Sequence, residues 1–341
     1  MPSSFIPQVQ KLRADRTSGS AEIAQRAGRL LEAFCQRHSA TPAKEAFTAL
    51  VELAVKLVDA QPSMAPVFNV ANYALTEAQE AERQSLTLRT LGLSLKRYRQ
   101  ELAARSEILD RRFAAQLGRL GKSGRVRRLL TYSNSSTVVR ALVAASRSRH
   151  RFEVLCAEGR PKFEGRRLAA TLARHGIPVQ VFTDAALLTQ VPRADLVVVG
   201  ADAIFQGYIA NKVGTRALLL AAWTGNCKRL VLADSSKFLA PPLARFFRVR
   251  QEPADEVWSR PAKSVRVLNP YFELVELELA GNLVTEQGTF TPKRLNKLIR
   301  QRPVSRALVT GLKPESFSWV PQARLSRRKR QPIYPSQHAG K

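Results

Sequence analysis

The chain has 341 residues, which is enough for one large domain or two ordinary ones. Hydrophobic residues make up 45% of it, yet no apolar run reaches the roughly 18 residues that span a bilayer, so we expect no contact with a membrane. The three cysteines, Cys35, Cys156 and Cys227, lie far apart in the sequence and form no Cys-x-x-Cys pair. This pattern argues against a disulfide framework and, with no secretory signal in the first twenty residues, predicts a reducing, cytoplasmic location.

The net charge of +28 and the pI near 11.1 are extreme for a metabolic enzyme. A field of this sign attracts polyanions such as nucleic acid, ribosomes or sugar phosphates. The basic residues are scattered and are not interleaved with aromatic residues, as a groove for single strands would require. Contact with RNA or ribosomes is therefore one interpretation, and an arginine-rich protein without a polyanionic partner is the other.

The first third of the chain carries only helical signals. Residues 1–20 are polar and are predicted to form a loop segment, with Ser20 as a possible N-cap of the helix that follows. Apolar spacing then predicts helices over 21–37, 41–59, 67–75 and 76–117. We therefore predict a helical domain over residues 21–120, with a glycine-rich boundary at 117–124.

From residue 126 onward, short apolar runs alternate with helical stretches. The predicted strands are 126–132, 152–156, 179–182, 196–199 and 230–233, and the predicted helices between them are 137–148, 163–175, 185–189 and 215–223. This alternation is typical of βαβ units and predicts a Rossmann-like, doubly wound parallel sheet over residues 124–312. The remaining residues, 313–341, are basic and of low complexity, and we expect a disordered tail that is either simply solvated or an arm for nucleic acid.

Polar or small residues follow each of these five strands, so they are expected to meet at one edge of the sheet, where open α/β sheets bind their ligands. The most informative stretch runs from 195 to 215. Its apolar strand ends at Gly200, Asp202 follows, and a loop carrying Gly207 leads to Asn211 and Lys212 at the start of a helix. Taken alone, Asp202 is better explained as the cap of a turn, whereas for Asn211 and Lys212 an exposed helix start is an equally good explanation.

The residue types at this edge predict an anion site. Hydroxyls and N–H groups at the positive end of a helix form a phosphate cradle, an arginine grips phosphate with two bonds, and lysines add point charges. Asn211 can bond a sugar hydroxyl, and a partly desolvated Asp202 can act as a general acid or base. The cradle and the cations are Ser135, Ser136, Thr137, Arg160, Lys212 and Lys237.

No metal or cofactor is expected. The four histidines are scattered without metal-ligand spacing, and no G-x-G-x-x-G follows the first strand. The sequence Gly121-Lys122-Ser123 does not complete a P-loop, because position 116 is glutamine and the motif precedes a strand.

Several segments together resemble one known family. They are DRTSGS at 15–20, EGRP at 158–161, HGIPV at 175–179, GADAI at 200–204, NKVGT at 211–215, NPYFE at 269–273 and VTEQG at 284–288. The combination, which extends from about residue 16 to 297, is similar to the translation initiation factor 2B alpha/beta/delta subunit family. That family also contains the ribose-1,5-bisphosphate isomerases and the methylthioribose-1-phosphate isomerases.

This resemblance implies a helical N-terminal domain, a Rossmann-like C-terminal domain and homodimers or higher oligomers built from the latter. In the isomerases, a cysteine after the first sheet strand and the aspartate of GAD interconvert an aldose phosphate and a ketose; the aspartate corresponds to Asp202. Their Arg-x-x-Gly segment matches Arg16 and Gly19 loosely. The implied ligand is a phosphorylated sugar or a nucleoside monophosphate, and its contacts would fall on Ser135, Ser136, Thr137, Arg160, Asn211, Lys212 and Lys237.

Two positions depart from the isomerase pattern: Ser133 stands where the family has its cysteine, and Gly159 replaces a threonine. A serine hydroxyl has a far higher pKa than a thiol, so thiol-dependent chemistry is not expected here. The first hypothesis is a sugar-phosphate- or nucleotide-binding protein like the regulatory subunits. The second is an aldose–ketose isomerase that uses Asp202 with Ser133 or another group, and the third is a basic protein associated with RNA or ribosomes.

Overall fold

A computed structural model describes residues 5–120, 126–148 and 150–313. Its first part is helical, as predicted. The helices are α1 (Ile6–Ala14), α2 (Ser20–Arg37), α3 (Ala43–Ala60), α4 (Ala65–Arg83) and α5 (Leu88–Leu120).

Helix α1 corrects the prediction of a loop segment over residues 1–20. Phe5, Val9 and Leu12 are spaced so that they share one helical face, and all three are buried in the helical core. Ser20 is the first residue of α2 and Gly19 holds the N-cap position, so the predicted N-cap is also wrong.

The predicted helix over 76–117 is in fact two helices. The chain leaves α4 after Arg83, passes through Ser85 at φ 54°, and re-enters a helix at Leu88. Helix α5 then runs for 33 residues, and its two halves pack into different cores. Leu91 and Leu95 belong to the helical core, whereas Leu109, Phe113 and Leu117 pack beneath the sheet. The predicted boundary at 117–124, which lies partly outside the described residues, therefore overlaps the end of a helix that both cores share.

The described residues of the second part form ten short strands and seven further helices. The strands are β1 (Arg128–Thr131), β2 (Glu153–Ala157), β3 (Val179–Phe182), β4 (Leu196–Val199), β5 (Ala203–Phe205), β6 (Tyr208–Lys212), β7 (Lys228–Leu232), β8 (Phe272–Glu276), β9 (Asn282–Thr285) and β10 (Gly288–Phe290). The helices are α6 (Ser136–Arg147), α7 (Glu164–Arg174), α8 (Asp184–Leu188), α9 (Thr215–Thr224), α10 (Pro241–Ala244), α11 (Pro292–Arg300) and α12 (Arg306–Gly311).

Seven of the strands form one sheet in the order β10-β9-β7-β4-β1-β2-β3, and only the β9–β10 pair is antiparallel. The predicted parallel, doubly wound sheet is thus confirmed. In the centre of the sheet, β1 pairs with both β2 and β4, with Leu130 opposite Leu155 on one side and Val197 on the other. The strand order reverses between β1 and β4, which is the switch point where such sheets open a crevice for ligands.

The stretch after β4 is not the loop that the sequence predicted. Strands β5 and β6 form a hairpin, and β6 pairs with β8 in a separate three-stranded antiparallel sheet. Within that hairpin Phe205 packs into the helical core, and Ile204 packs into the core of the sheet. The hairpin therefore joins the two parts of the molecule directly beside Asp202.

No helix in the described parts of the chain is long and apolar enough to cross a membrane. The tail predicted over 313–341 lies, apart from residue 313, outside the described residues.

Candidate functional site

Three segments meet at the switch point between β1 and β4. Ser135 caps α6 by accepting a hydrogen bond from the Val138 N–H at 3.4 Å, as expected for a helix that starts near Ser136. The Ser135 side chain lies against Gly200, where an added Cβ would approach its hydroxyl to 2.3 Å. Gly19 lies beside Ser136, with 3.8 Å between the position of a Cβ and the Ser136 hydroxyl. The start of α2, the loop after β1 and the loop after β4 are therefore in contact.

Asp202 and Lys237 are linked through Ser20. The Ser20 hydroxyl donates to Asp202 Oδ1 at 2.8 Å and accepts from the Lys237 ammonium. Lys237, in the turn after β7, is only 3% exposed, and no carboxylate oxygen of the described chain lies within 4.0 Å of it. An ammonium group carries three N–H donors, so this buried cation retains donors beyond its bond to Ser20.

Lys212 forms a second group with Glu164 and Ser133. Its ammonium lies 2.7 Å from Glu164 Oε1 and 4.7 Å from the centre of the Tyr271 ring. The Ser133 hydroxyl donates to the same Glu164 oxygen at 3.3 Å, from a left-handed backbone conformation at φ 66°. Glu164 Oε2 is buried and has no hydrogen-bond partner in the described structure. This oxygen is an acceptor that a hydroxyl of a ligand can satisfy.

Behind Lys212, the Tyr271 hydroxyl donates to Glu256, which also accepts from Lys162 Nζ at 2.6 Å and Asn269 Nδ2 at 3.0 Å. Burial alone raises the pKa of Glu256, but these three hydrogen bonds outweigh it and hold that pKa below its usual value. Burial and the bond to Glu256 raise the pKa of Tyr271, so the phenol stays neutral under Lys212. The charges of the Lys212 group are therefore paired within the protein.

Two of the cations predicted to bind the ligand, Arg160 and Arg16, belong to neither the Lys237 group nor the Lys212 group. Arg160 is exposed, and its guanidinium stacks 4.9 Å above the ring of Phe163 while its backbone N–H donates to Asp184. The described structure gives it no contact with Asp202 or Lys212. Arg16, half-exposed, pairs with Glu252 at 3.1 Å. The structure thus brings Lys237 and Lys212 to the crevice but leaves the side chains of Arg16 and Arg160 in contacts of their own.

The alternative of an exposed helix start at Asn211 and Lys212 is wrong. Both residues end strand β6, and both are buried. The Asn211 amide donates to Thr215 Oγ1 at 2.9 Å, so this amide holds the turn into α9. Thr137, also buried, lies in the first turn of α6.

All three cysteines lie in buried positions. Burial raises the pKa of Cys35 and of Cys156 to about 12 and raises that of Cys227 as well, so none is a thiolate near neutral pH. The described residues also include no cluster of three or more His, Cys, Asp or Glu side chains suited to a metal.

Sequence reasoning missed Ser20, Glu164 and the pair Glu256–Tyr271. Ser20 has the residue type of a helix cap, and its partners Asp202 and Lys237 lie 182 and 217 positions further along the chain. Glu164 carried a usable signal, because it opens a helix just after a strand end. Together with Lys237, these groups offer both donors for a phosphate and acceptors for hydroxyls.

Comparisons with known proteins agree with this architecture. Residues 16–292 match the sequence model of the Initiation factor 2 subunit family. A Pyrococcus furiosus protein described as eIF-2B subunit 2-like is 26% identical over 296 residues, covering 86% of this chain and 99% of the relative. The ribose 1,5-bisphosphate isomerase of Archaeoglobus fulgidus is 27% identical over 308 residues, covering 87% and 93%.

Solved structures show the same fold. The Pyrococcus horikoshii translation initiation factor eIF-2B superposes with a TM-score of 0.70 at 24% identity, covering 86% of this chain and 99% of that one. The 5-methylthioribose 1-phosphate isomerase of the same organism gives a TM-score of 0.64 at 20% identity, covering 86% of each chain. Assembly of this chain into a homodimer or higher oligomer stays a prediction.

Proposed function

The chain belongs to the Initiation factor 2 subunit family, and from this premise we propose that it binds a phosphorylated sugar or a nucleoside monophosphate at the crevice between β1 and β4. The observation that carries the proposal is the buried Lys237 ammonium, which has no ion-pair partner in the described chain and lies one hydroxyl away from Asp202. A buried cation without a carboxylate is costly, and an incoming phosphate offsets that cost.

Residues at the crevice can bind both the phosphate and the sugar hydroxyls of such a ligand. The N-terminus of α6, at Ser136, offers N–H groups and a positive dipole end to the phosphate, and the Lys237 ammonium adds a cation. The unpaired Glu164 Oε2 and the Asp202 carboxylate accept hydrogen bonds from sugar hydroxyls. An inorganic anion would use only the N–H donors and the lysine. The presence of carboxylate acceptors as well therefore favours a sugar phosphate.

We further propose that the protein lacks thiol-dependent isomerase activity. Ser133 replaces the family cysteine, and its hydroxyl donates to the Glu164 carboxylate, which already pairs with Lys212 and is too weak a base to ionise a serine hydroxyl. The buried cysteines offer no substitute thiolate. A regulatory protein that retains the pocket and senses its ligand fits these features.

The binding proposal is tested by thermal unfolding of the full chain with ribose 1,5-bisphosphate, 5-methylthioribose 1-phosphate or AMP. At least one should raise the unfolding temperature in proportion to the logarithm of its concentration, since a ligand at 100 times its Kd adds about 2.7 kcal/mol. Lys237→Met should abolish the shift. The matched control Lys96→Met, on the exposed side of α5, should leave it unchanged. No shift with any of the three, or a full shift with Lys237→Met, would contradict the proposal.

A second candidate, isomerisation through Asp202, is favoured by the placement of this carboxylate against Ser20 and Lys237 at the crevice. Incubation with either pentose phosphate should yield no ketose from the unmodified chain. Ketose formation that disappears with Asp202→Asn would overturn the non-catalytic assignment and leave the binding proposal standing.

A further inference from the structure

Helix α11, which follows the residues of the crevice in the chain, has one apolar and one basic face. Leu295 and Ile299 are fully buried against the sheet, which fixes the rotation of the helix. That rotation leaves four cations exposed to solvent, which we call the α11 face: Lys293, Arg294, Lys297 and Arg300.

The charges of the α11 face are not neutralised by the protein. None of the four has a carboxylate oxygen within 4.0 Å in the described chain, and Arg294 instead lies 5.3 Å above the ring of Phe290. The local sequence offers no acid either, since residues 287–314 contain seven Lys and Arg and no Asp or Glu. Elsewhere, by contrast, surface arginines such as Arg26, Arg128 and Arg166 each meet a carboxylate.

The four cations border an open cleft of about 690 Å³, which none of the crevice residues lines. The other lining residues are neutral and polar: Thr291, Asn296 and Gln301. One of them is already oriented, because Asn296 Oδ1 accepts the Gly207 N–H at 3.1 Å and this leaves its NH₂ group for an outside acceptor. No aromatic side chain lines the cleft.

We propose that the α11 face binds the phosphate backbone of double-stranded RNA. From Lys293 to Arg300 the helix rises about 10 Å, a length that covers about three phosphate steps of one strand along the axis of a nucleic-acid duplex. The cleft lacks the aromatic platform on which proteins usually stack unpaired bases, which favours a duplex over a single strand. The interleaved Thr, Asn and Gln side chains can bond 2′-hydroxyls, which RNA displays and DNA lacks.

The test is fluorescence anisotropy of the full chain with a labelled RNA duplex of about 20 base pairs at rising salt. A quadruple variant, K293Q/R294Q/K297Q/R300Q, should bind at least tenfold more weakly at low salt. Its slope of log K against log salt should be shallower by about 4, close to one for each cation removed. All four positions are exposed, and an unchanged circular dichroism spectrum confirms that the variant folds.

The matched control is R89Q/K96Q/R97Q/R111Q, which removes the same charge from exposed positions of α5 and should keep the unmodified affinity and slope. The proposal is overturned if the α11 variant binds like the unmodified chain, as it would if residues 324–330 of the tail carried the binding. It is also overturned if the control loses as much affinity. Equal or tighter binding of duplex DNA, or of single-stranded RNA, overturns the assignment to double-stranded RNA.

Discussion

Two buried lysines lie at the same crevice, but their surroundings differ. Lys212 faces Glu164 at 2.7 Å, lies over Tyr271 and is one member of a network in which each charge has an opposite partner. Lys237 is equally buried, yet within the described residues its only hydrogen bond runs to the Ser20 hydroxyl, with Asp202 on the far side of that hydroxyl. The comparison separates a lysine that holds the framework together from one that is available to a ligand.

The largest loss in the free energy of unfolding is expected on replacing Lys212. Lys212→Met leaves Glu164 buried without its counter-charge, and breaking one side of a buried pair costs about 3 to 5 kcal/mol. Urea unfolding should show a loss of this size, and the double change Lys212→Met with Glu164→Gln should recover part of it. A loss below about 1 kcal/mol would remove the distinction between the two lysines.

Lys237→Met should affect the free protein much less. The substitution removes a hydrogen bond to Ser20 but also relieves the desolvation of a cation that has no carboxylate beside it. We expect the free energy of unfolding without ligand to change by less than about 1.5 kcal/mol, in either direction. A loss as large as that of Lys212→Met would show that Lys237 is structural.

The smallest effect on stability is expected on replacing Glu256, which lies at the outer end of the Lys212 network. Because its pKa in the folded protein lies below the unfolded value of 4.5, its ionised form stabilises the fold above that pH. The contribution is lost as the pH falls through the folded-state pKa. Glu256→Gln should therefore lower the unfolding temperature at neutral pH, and the difference from the unmodified chain should shrink in acid. A difference that grows as the pH falls would contradict the direction of the pKa shift.

The sequence predicted best what depends on neighbouring residues. The apolar run Leu196–Val199 fits only a strand buried on both faces, and the order of such runs was enough to predict a parallel sheet and to place Asp202 at its edge. The helix Ile6–Ala14 was missed because its apolar face is narrow, and the break at Ser85 was missed because that residue type does not by itself mark a turn.

The candidate site was predicted less completely, because its partners are distant in sequence. Ser20, Asp202 and Lys237 come from three separate elements, and no local pattern pairs them. The phosphate contact expected of Arg160 stays a prediction. Its position after a strand suggested a phosphate ligand, but the adjacent Phe163 provides a surface on which its guanidinium stacks. Local spacing thus indicated one edge of the sheet but not the contacts made there.

Ser20 and its two partners belong to different parts of the chain, and this has a mechanical consequence. This residue begins the second helix of the N-terminal part, whereas Asp202 and Lys237 belong to loops of the parallel sheet. A molecule that engages all three would act as a clamp between the two halves of the chain. Ligand binding in the crevice and packing of the N-terminal helices against the sheet would then be reciprocally coupled, so that weakening either one weakens the other.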